Sequence, residues 1–452
     1  MLTVAPVNIS HTSILLSPNR RKVANELSNE RLIQIANENP VVNTFLKLAV
    51  IPTPTIRPGH PQENEMKQNM DLIRNLTANL FMELDSKATS NLDQYGTLII
   101  QYPGSPEYEN KRPLMFMGHL DIVPADLKDP LRQIYPTLIN HSTKEGSKEF
   151  IATDGTTTLG ADDKAQVAII WDIVRRLKAE GKSHVPFEIV LAPDEEEDSS
   201  SLTHLDTSKF KAKDVIVVDS DEEFVITTGG ASFVDIKINL SGLKSGHSAV
   251  DNQEDYVSAS DILADLYQAI GNRVVKWNTE IHQPLISKNI YECEIKKAPS
   301  NAFPTEAHMA ISLRSLSKQE QDNELERIKQ EIKRIEEKYK NYKNIDNKLE
   351  IKIKIEEQYP PWNGDTKSEL VKLMEQAAHE IGHDSVKTTP EHGASQANHL
   401  ANRRNTYGEK FSAVLVSPNL EELHSVDEKV DWKSMVEVSN WLYRFVQIYS
   451  SS

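Results

Sequence analysis

The sequence predicts a two-part α/β protein, in which a core with a mostly parallel central sheet is interrupted by an inserted two-layer α+β domain. Three observations predict it. The apolar runs PLMFMG (Pro113 to Gly118), FEIVLA (Phe187 to Ala192) and DVIVV (Asp214 to Val218) lack alternation, as strands covered by helices on both faces do. A helical stripe of Val167, Ala168, Ile170, Trp171 and Val174 lies between the first two runs. From Phe233 the texture changes to the period-two alternation of a half-exposed strand, FVDIKINLSG.

In chain order, a helix from Val41, a proline-punctuated loop from Ile51 to Pro61 and a helix from Gln62 to Leu84 come first. Strands at Gly96 to Tyr102 and Pro113 to Gly118 follow, then a polar, turn-rich segment from Lys144 to Thr158 and a helix from Asp163 to Ala179. The insertion reads as a strand at Phe233, a helix from Tyr256 to Ile270, strands at Ile290 to Ile295 and Glu306 to Arg314, a charged helix, and an alternating strand from Lys348 to Gln358. That order is βαββαβ. In the charged helix, Ser317 to Tyr342, Glu and Lys/Arg recur at i,i+4, the pattern of a solvated face. Pro360, Pro361 and Trp362 mark the return to the core. A helix at Lys367 to Ile381, a strand at Ser412 to Val416 and a helix from Trp432 to Ile448 complete it. The expected divisions are an N-terminal extension at 1–30, a core at 31–235 and 359–452, and an insertion at 236–358.

A chain of 452 residues exceeds what one ordinary core holds. Its 38% hydrophobic and 26% charged residues describe a globular protein, and no apolar run approaches the ~20 residues that span a bilayer. The short apolar stretch Ser13 to Leu16 has no basic region before it, so a cytoplasmic location rather than a secretory signal is expected. With one cysteine, Cys293, neither an intramolecular disulfide nor a cysteine metal cluster is open to the chain, and a metal would rest on His, Asp and Glu. The net charge of −16 argues against nucleic acid and anionic lipid as partners.

The candidate ligands follow the strands. His119 and Asp121 come after the run ending at Gly118, Glu195 and Glu196 after Ala192, Asp219 after Val218, and His424 shortly after Val416. In an open α/β sheet the binding crevice lies outside the carboxyl ends of the strands, so these separate pieces point to one place. His119 and Asp121 sit at i and i+2 and face one side of an extended chain, which lets the carboxylate orient the imidazole. Asp162 stands at a helix start, where an aspartate serves as an N-cap or, equally, as a metal-bridging carboxylate. PDEEED (Pro193 to Asp198) concentrates five carboxylates in six residues, a density that needs cations unless it is a solvated acidic loop.

Taken together, GHLDIVPA (118–125), TLGADDKAQVA (158–168), APDEE (192–196), VDS (218–220), GLKSGHSA (242–249), NAFP (301–304) and LHSVDEKV (423–430) resemble the dizinc exopeptidases that include the peptidase T and aminoacyl-histidine dipeptidase families. The motifs occur in the family's order from about Val41 to the C-terminus. The resemblance implies a zinc-exopeptidase-like catalytic domain holding two divalent metal ions, expected to be zinc. It implies Asp162 bridging both ions, His119 and Asp219 completing one site, and Glu196 and His424 the other. Asp121 would orient His119, and Glu195 would serve as general base while a metal-bridging hydroxide attacks. The implied reaction releases the N-terminal residue from tripeptides or splits dipeptides. The inserted domain would act as lid and homodimer contact, with His247, Asn301 and Arg314 on the substrate, Arg314 as a planar bidentate clamp for a carboxylate.

Two stretches depart from the family pattern. Glu197, Asp198 and serines follow the Glu pair where a hydrophobic residue and glycine are usual, and EHGASQAN (391–398) stands where a Gly-Gly-Thr-Asp-Gly substrate loop is usual. These bear on substrate length and leave the implied metal ligands intact. The alternatives are an N-acyl amino acid amidohydrolase and a noncatalytic binding descendant. A decayed site would have lost at least one of the seven metal or proton-transfer residues, and none is missing.

Overall fold

A computed structural model describes residues 22–143, 146–197, 199–251 and 256–452. Most of the expected N-terminal extension, residues 1–21, and Asp198 lie outside the described residues. Among the described residues the chain forms two compact units, one running up to 227 with 364–388 and 402–452, the other of 228–363 and 389–401.

The first unit is built on a mixed sheet. Its centre is parallel: the strand Leu114–His119 pairs on one side with Phe187–Ala192 and on the other with Asp214–Val218, which pairs in turn with Ser412–Val416. Antiparallel pairing appears toward the edges, where Leu98–Tyr102 joins Phe187–Ala192, and Ser412–Val416 meets the strand Val225–Gly230. Every residue of Leu114–His119 and of Phe187–Ala192 is buried, as the unalternating apolar runs require of strands covered on both faces. The helix Ala161–Ala179 lies against the adjacent strands Leu114–His119 and Asp214–Val218, and Pro40–Ala49 and Trp432–Ser451 pack on that helix. Pro40 sits in the first turn of its helix, where its missing N–H costs nothing.

The segment read as polar and turn-rich is instead partly a strand, Gly146–Ala152, paired with Thr137–Thr143 in a second, four-stranded sheet. Its exposed end is polar, and only Phe150, Ile151 and Ala152 are buried, so too short an apolar run marked it.

The second unit is an antiparallel five-stranded sheet in the order Val274–Asn278, Gln283–Ile295, Ala307–Ser315, Ser232–Leu243, Ile345–Tyr359. Two helices, Ala259–Ile270 and Lys318–Tyr339, pack on it. The expected order of elements gains one strand, Val274–Asn278, whose residues are almost all exposed and so carry no alternation. The charged helix keeps its solvated face but buries Ile328, Ile332 and Ile335 against Val234, Ile236, Met309 and Ile311. Residues 389–401 belong to this unit although they follow the return to the core in sequence. Asn398 ties them there, its side-chain amide donating to the carbonyls of Gly230, Ala231 and Pro360 at 3.3, 3.0 and 2.8 Å. No helix of the described residues is long and apolar enough to cross a membrane.

Candidate metal centre

Four parallel strands end at the same edge of the first unit's sheet, and their ends and the loops leaving them carry the predicted ligands except Asp162, which stands at the start of Ala161–Ala179. His119 is the last residue of its strand, and its imidazole Nε2 lies 3.1 Å from Asp162 Oδ1 and 3.9 Å from Asp219 Oδ1. His424 Nε2 lies 3.3 Å from Asp162 Oδ2 and 3.1 Å from Glu196 Oε2. Two donor groups result, His119 with Asp162 and Asp219, and Asp162 with Glu196 and His424, each with its ligand atoms within 4.8 Å of one another. Asp162 is common to both and turns one carboxylate oxygen toward each.

Asp162 does not cap its helix. The N-cap residue is Gly160, there is no side-chain capping bond, and Asp162 itself has extended rather than helical torsions, φ −78° and ψ 104°. The carboxylate is thereby left to the two histidines. Gly160 has φ 68°, and a Cβ there would run into Ile122, so glycine is needed at this turn. His424 also adopts a positive φ, 61°, a conformation that costs a non-glycine residue about 1 kcal/mol and is found where the surroundings hold it.

Three buried carboxylates fix the backbone beneath the ligands. Asp121 accepts the amides of Glu195 and Glu196 at 3.0 and 3.1 Å and the Thr55 hydroxyl at 2.6 Å. Asp163 accepts the amide of His119 at 2.7 Å. A Cβ at Gly118 would collide with the Asp163 carboxylate, which explains glycine inside a buried strand. Glu428 accepts the amides of Leu159 and Gly160, both at 2.9 Å, and of Asp162 at 3.1 Å. Sequence reasoning missed Asp163 and Glu428 in this role, although both stand inside quoted motifs. It gave Asp121 to the His119 ring, whose Nδ1 lies 3.1 Å from the Asp121 carbonyl oxygen and 3.4 Å from its carboxylate.

The five carboxylates of PDEEED divide their tasks. Asp194 binds the Ser201 amide and hydroxyl, Glu195 is buried, Glu196 faces His424, Glu197 pairs with Arg57, and Asp198 lies outside the described residues.

Electrostatics show what the cluster lacks. Burial, reinforced by the charge of Asp219, pushes Glu195 well above the usual carboxyl range. Burial raises Glu196 to about 7 and Asp219 to about 6. Burial also works against the charge of Asp162, but hydrogen bonds from His119 and His424 outweigh it and hold that carboxyl below its ordinary value. The same bonds to Asp162 and Glu196 raise His424 to about 11. Protons thus stand in for missing positive charge. Glu196 Oε1 is in addition buried without a hydrogen-bond partner among the described residues. Two imidazoles and three carboxylates, one of them shared, form a nitrogen and oxygen donor set of the kind that holds a pair of divalent cations. The residues fit that group.

The other predicted site residues lie in the second unit. His247 and Asn301 are exposed neighbours, joined by a bond from the Ser248 amide to the Asn301 carbonyl, 2.9 Å, and a bridge between His247 and Ala302. Arg314, half-buried on the strand Ala307–Ser315, stacks over the Phe233 ring at 4.7 Å. Among the described residues no hydrogen bond or ion pair joins it to His247 or Asn301.

The model of the peptidase family M20/M25/M40 matches residues 115–448. The chain is 25% identical to peptidase T of Clostridium botulinum over 312 residues, 67% of this chain and 69% of that one. Its fold is similar to that of an aminopeptidase PepT from Bacillus cereus, with a TM-score of 0.69 and 21% identity over 90% of this chain and 97% of the other. A tripeptidase from Staphylococcus aureus superposes with a TM-score of 0.71 and 19% identity, covering 91% and 98% of the two chains.

Proposed function

Since the chain belongs to the peptidase family M20/M25/M40, we propose that it is a dinuclear zinc exopeptidase that releases the N-terminal residue from tripeptides or splits dipeptides. The observation that carries this reading is Asp162, whose two oxygens face His119 and His424 separately at 3.1 and 3.3 Å. His119, Asp162 and Asp219 would hold one ion, and Asp162, Glu196 and His424 the other. When bound, such a pair polarises the scissile carbonyl and acidifies water.

The chain's own residues do the rest. Glu195 takes a proton from the attacking water and returns it to the leaving amine, a task that suits a buried carboxyl whose proton affinity burial has raised above the ordinary value. Asp121 keeps Glu195 and Glu196 in register by holding both their amides. Arg314, with His247 and Asn301, serves the far end of the substrate, its guanidinium matching a carboxylate. The similarity to a peptidase T supports a peptide as the substrate. Homodimerisation belongs to the same reading, with exposed Val274, Val275, Trp277 and Tyr291 on the outer hairpin of the second unit as its apolar contact.

The test is to load the protein with zinc, cobalt or manganese and assay di-, tri- and N-blocked peptides. Turnover of unblocked tripeptides is expected. Cleavage confined to N-acyl amino acids would overturn the reading in favour of an amidohydrolase.

A further inference from the structure

Glu188 is an acidic residue inside the buried strand Phe187–Ala192, and the metal centre makes no use of it. Its carboxylate accepts the amide of Lys211 at 3.0 and 3.2 Å and that of Ala212 at 3.0 Å, which fixes the turn leading into the strand Asp214–Val218. Burial keeps its carboxyl above the ordinary range. The backbone of Lys211 is thereby held from inside the protein while its side chain stays exposed.

Glu188 lines a cleft of about 600 Å³ together with Lys111, Arg112, Lys209, Lys211 and Tyr407, all of the first unit. Pro113 and Pro186 line it as well, and each stands immediately before a strand, Leu114–His119 and Phe187–Ala192, whose other end leads to metal ligands. At about 3.3 Å per residue a strand of this length separates Pro113 from His119 by about 20 Å. The cleft therefore opens at the edge of the sheet opposite the metal centre.

The four cations are loosely engaged. Arg112 pairs with Glu409 at 2.9 Å and lies over the Tyr407 ring at 5.2 Å, Lys209 pairs with Asp206 at 3.3 Å, and Lys111 donates to the Ser450 carbonyl at 3.1 Å. Among the described residues the Lys211 ammonium makes no hydrogen bond or ion pair; only its backbone amide does. Exposed pairs of this kind contribute little and exchange readily for a better anion. Two carboxylates, Glu109 and Glu188, share the cleft, and Glu188 is already occupied by backbone amides. In a chain of net charge −16, four cations around one cleft oppose the overall field and focus anions there.

A cleft of this size holds a molecule rather than a single small ion. Its guanidinium matches phosphate oxygens bidentately and its lysines act as point charges, so the charges suit more than one phosphoryl group. We propose that this cleft is a binding site for a diphosphate, held by Lys111, Arg112, Lys209 and Lys211. The proposal goes beyond the peptidase reading and does not depend on it.

Isothermal titration calorimetry of the metal-loaded protein with pyrophosphate, adenosine diphosphate and orthophosphate tests it. Pyrophosphate should bind at least about ten-fold more tightly than orthophosphate, and more weakly as salt is raised. Lys211→Gln should weaken it by about ten-fold, and Lys211→Gln combined with Lys209→Gln by about a hundred-fold. Both lysines are exposed, so the variants should unfold at the wild-type temperature. Adenosine diphosphate binding more tightly than pyrophosphate would identify a nucleotide as the source, and equal binding an inorganic one; either supports the site. Asp162→Asn, which lacks the shared metal ligand, should bind pyrophosphate as the wild type does. Loss of binding in Asp162→Asn would place the anion on the metal ions and overturn the site. Absence of binding to the wild type, or undiminished binding to the double lysine variant, would overturn it too.

Discussion

The carboxylate of Glu428 accepts the backbone amide of Asp162 at 3.1 Å, tying the loop that carries His424 to the turn that carries the shared ligand. The same side chain satisfies the amides of Leu159 and Gly160, and it is almost wholly buried. Removing it would strand three buried donors at once. Glu428→Ala is expected to destabilise the protein by about 2–5 kcal/mol and to weaken metal binding, whereas Glu428→Gln should do less of both. Thermal unfolding and metal content after dialysis read the outcome. Unchanged metal content in Glu428→Ala would show that the turn holds its shape without this anchor.

Glu195 belongs to neither donor group, so its loss should separate binding from chemistry. Glu195→Ala is expected to retain the metal content of the wild type while turnover falls by about 10²–10⁴-fold. Activity near the wild-type level would mean that another group moves the proton.

The donor cluster should draw stability from its ions. At free metal about a hundredfold above Kd, binding adds about 2.7 kcal/mol, so chelation should lower the midpoint of unfolding and added zinc should restore it. Replacing Asp162 with Asn should reduce that gain more than replacing Asp219, because Asp162 faces both histidines. Equal effects of the two changes would contradict a shared ligand.

His392 gives a pH dependence carried by the second unit. Its folded pKa is lowered to about 4 by burial and by Arg314, below the ordinary histidine value of 6.5. The unfolded chain therefore binds this proton more readily, and as pH falls from about 6.5 toward 4 the native state loses stability at this position. His392→Gln should remove that loss, so its stability relative to wild type should rise between pH 7 and 4.5. Denaturant titrations at the two pH values measure it, and parallel curves would show that the ring is not held neutral.

Much of the metal centre was legible because its signals are local. Unalternating runs such as FEIVLA mark covered strands, and a ligand at the end of each run lands at one sheet edge whatever the loops do. For that reason His119, Glu196, Asp219 and His424 could be placed together while the resemblance added Asp162, and the structure gathers the five into two groups sharing Asp162. Local texture could not say whether Asp162 capped its helix. The turn decides that, with Gly160 in the left-handed region and the capping position taken from the side chain.

The sequence by itself determined the covered strands, the alternating insertion and the residue types of the centre, since strand and helix periodicity and donor chemistry are properties of short stretches. Only the tertiary structure decided what supports them. Glu428 meets Gly160 across 268 residues, Asp121 meets Glu195 across 74, and His392 meets Ser287 across 105. No periodicity reports such pairs, because a buried amide or an unpaired guanidinium accepts any partner that packing brings within reach, and packing is settled by the whole chain.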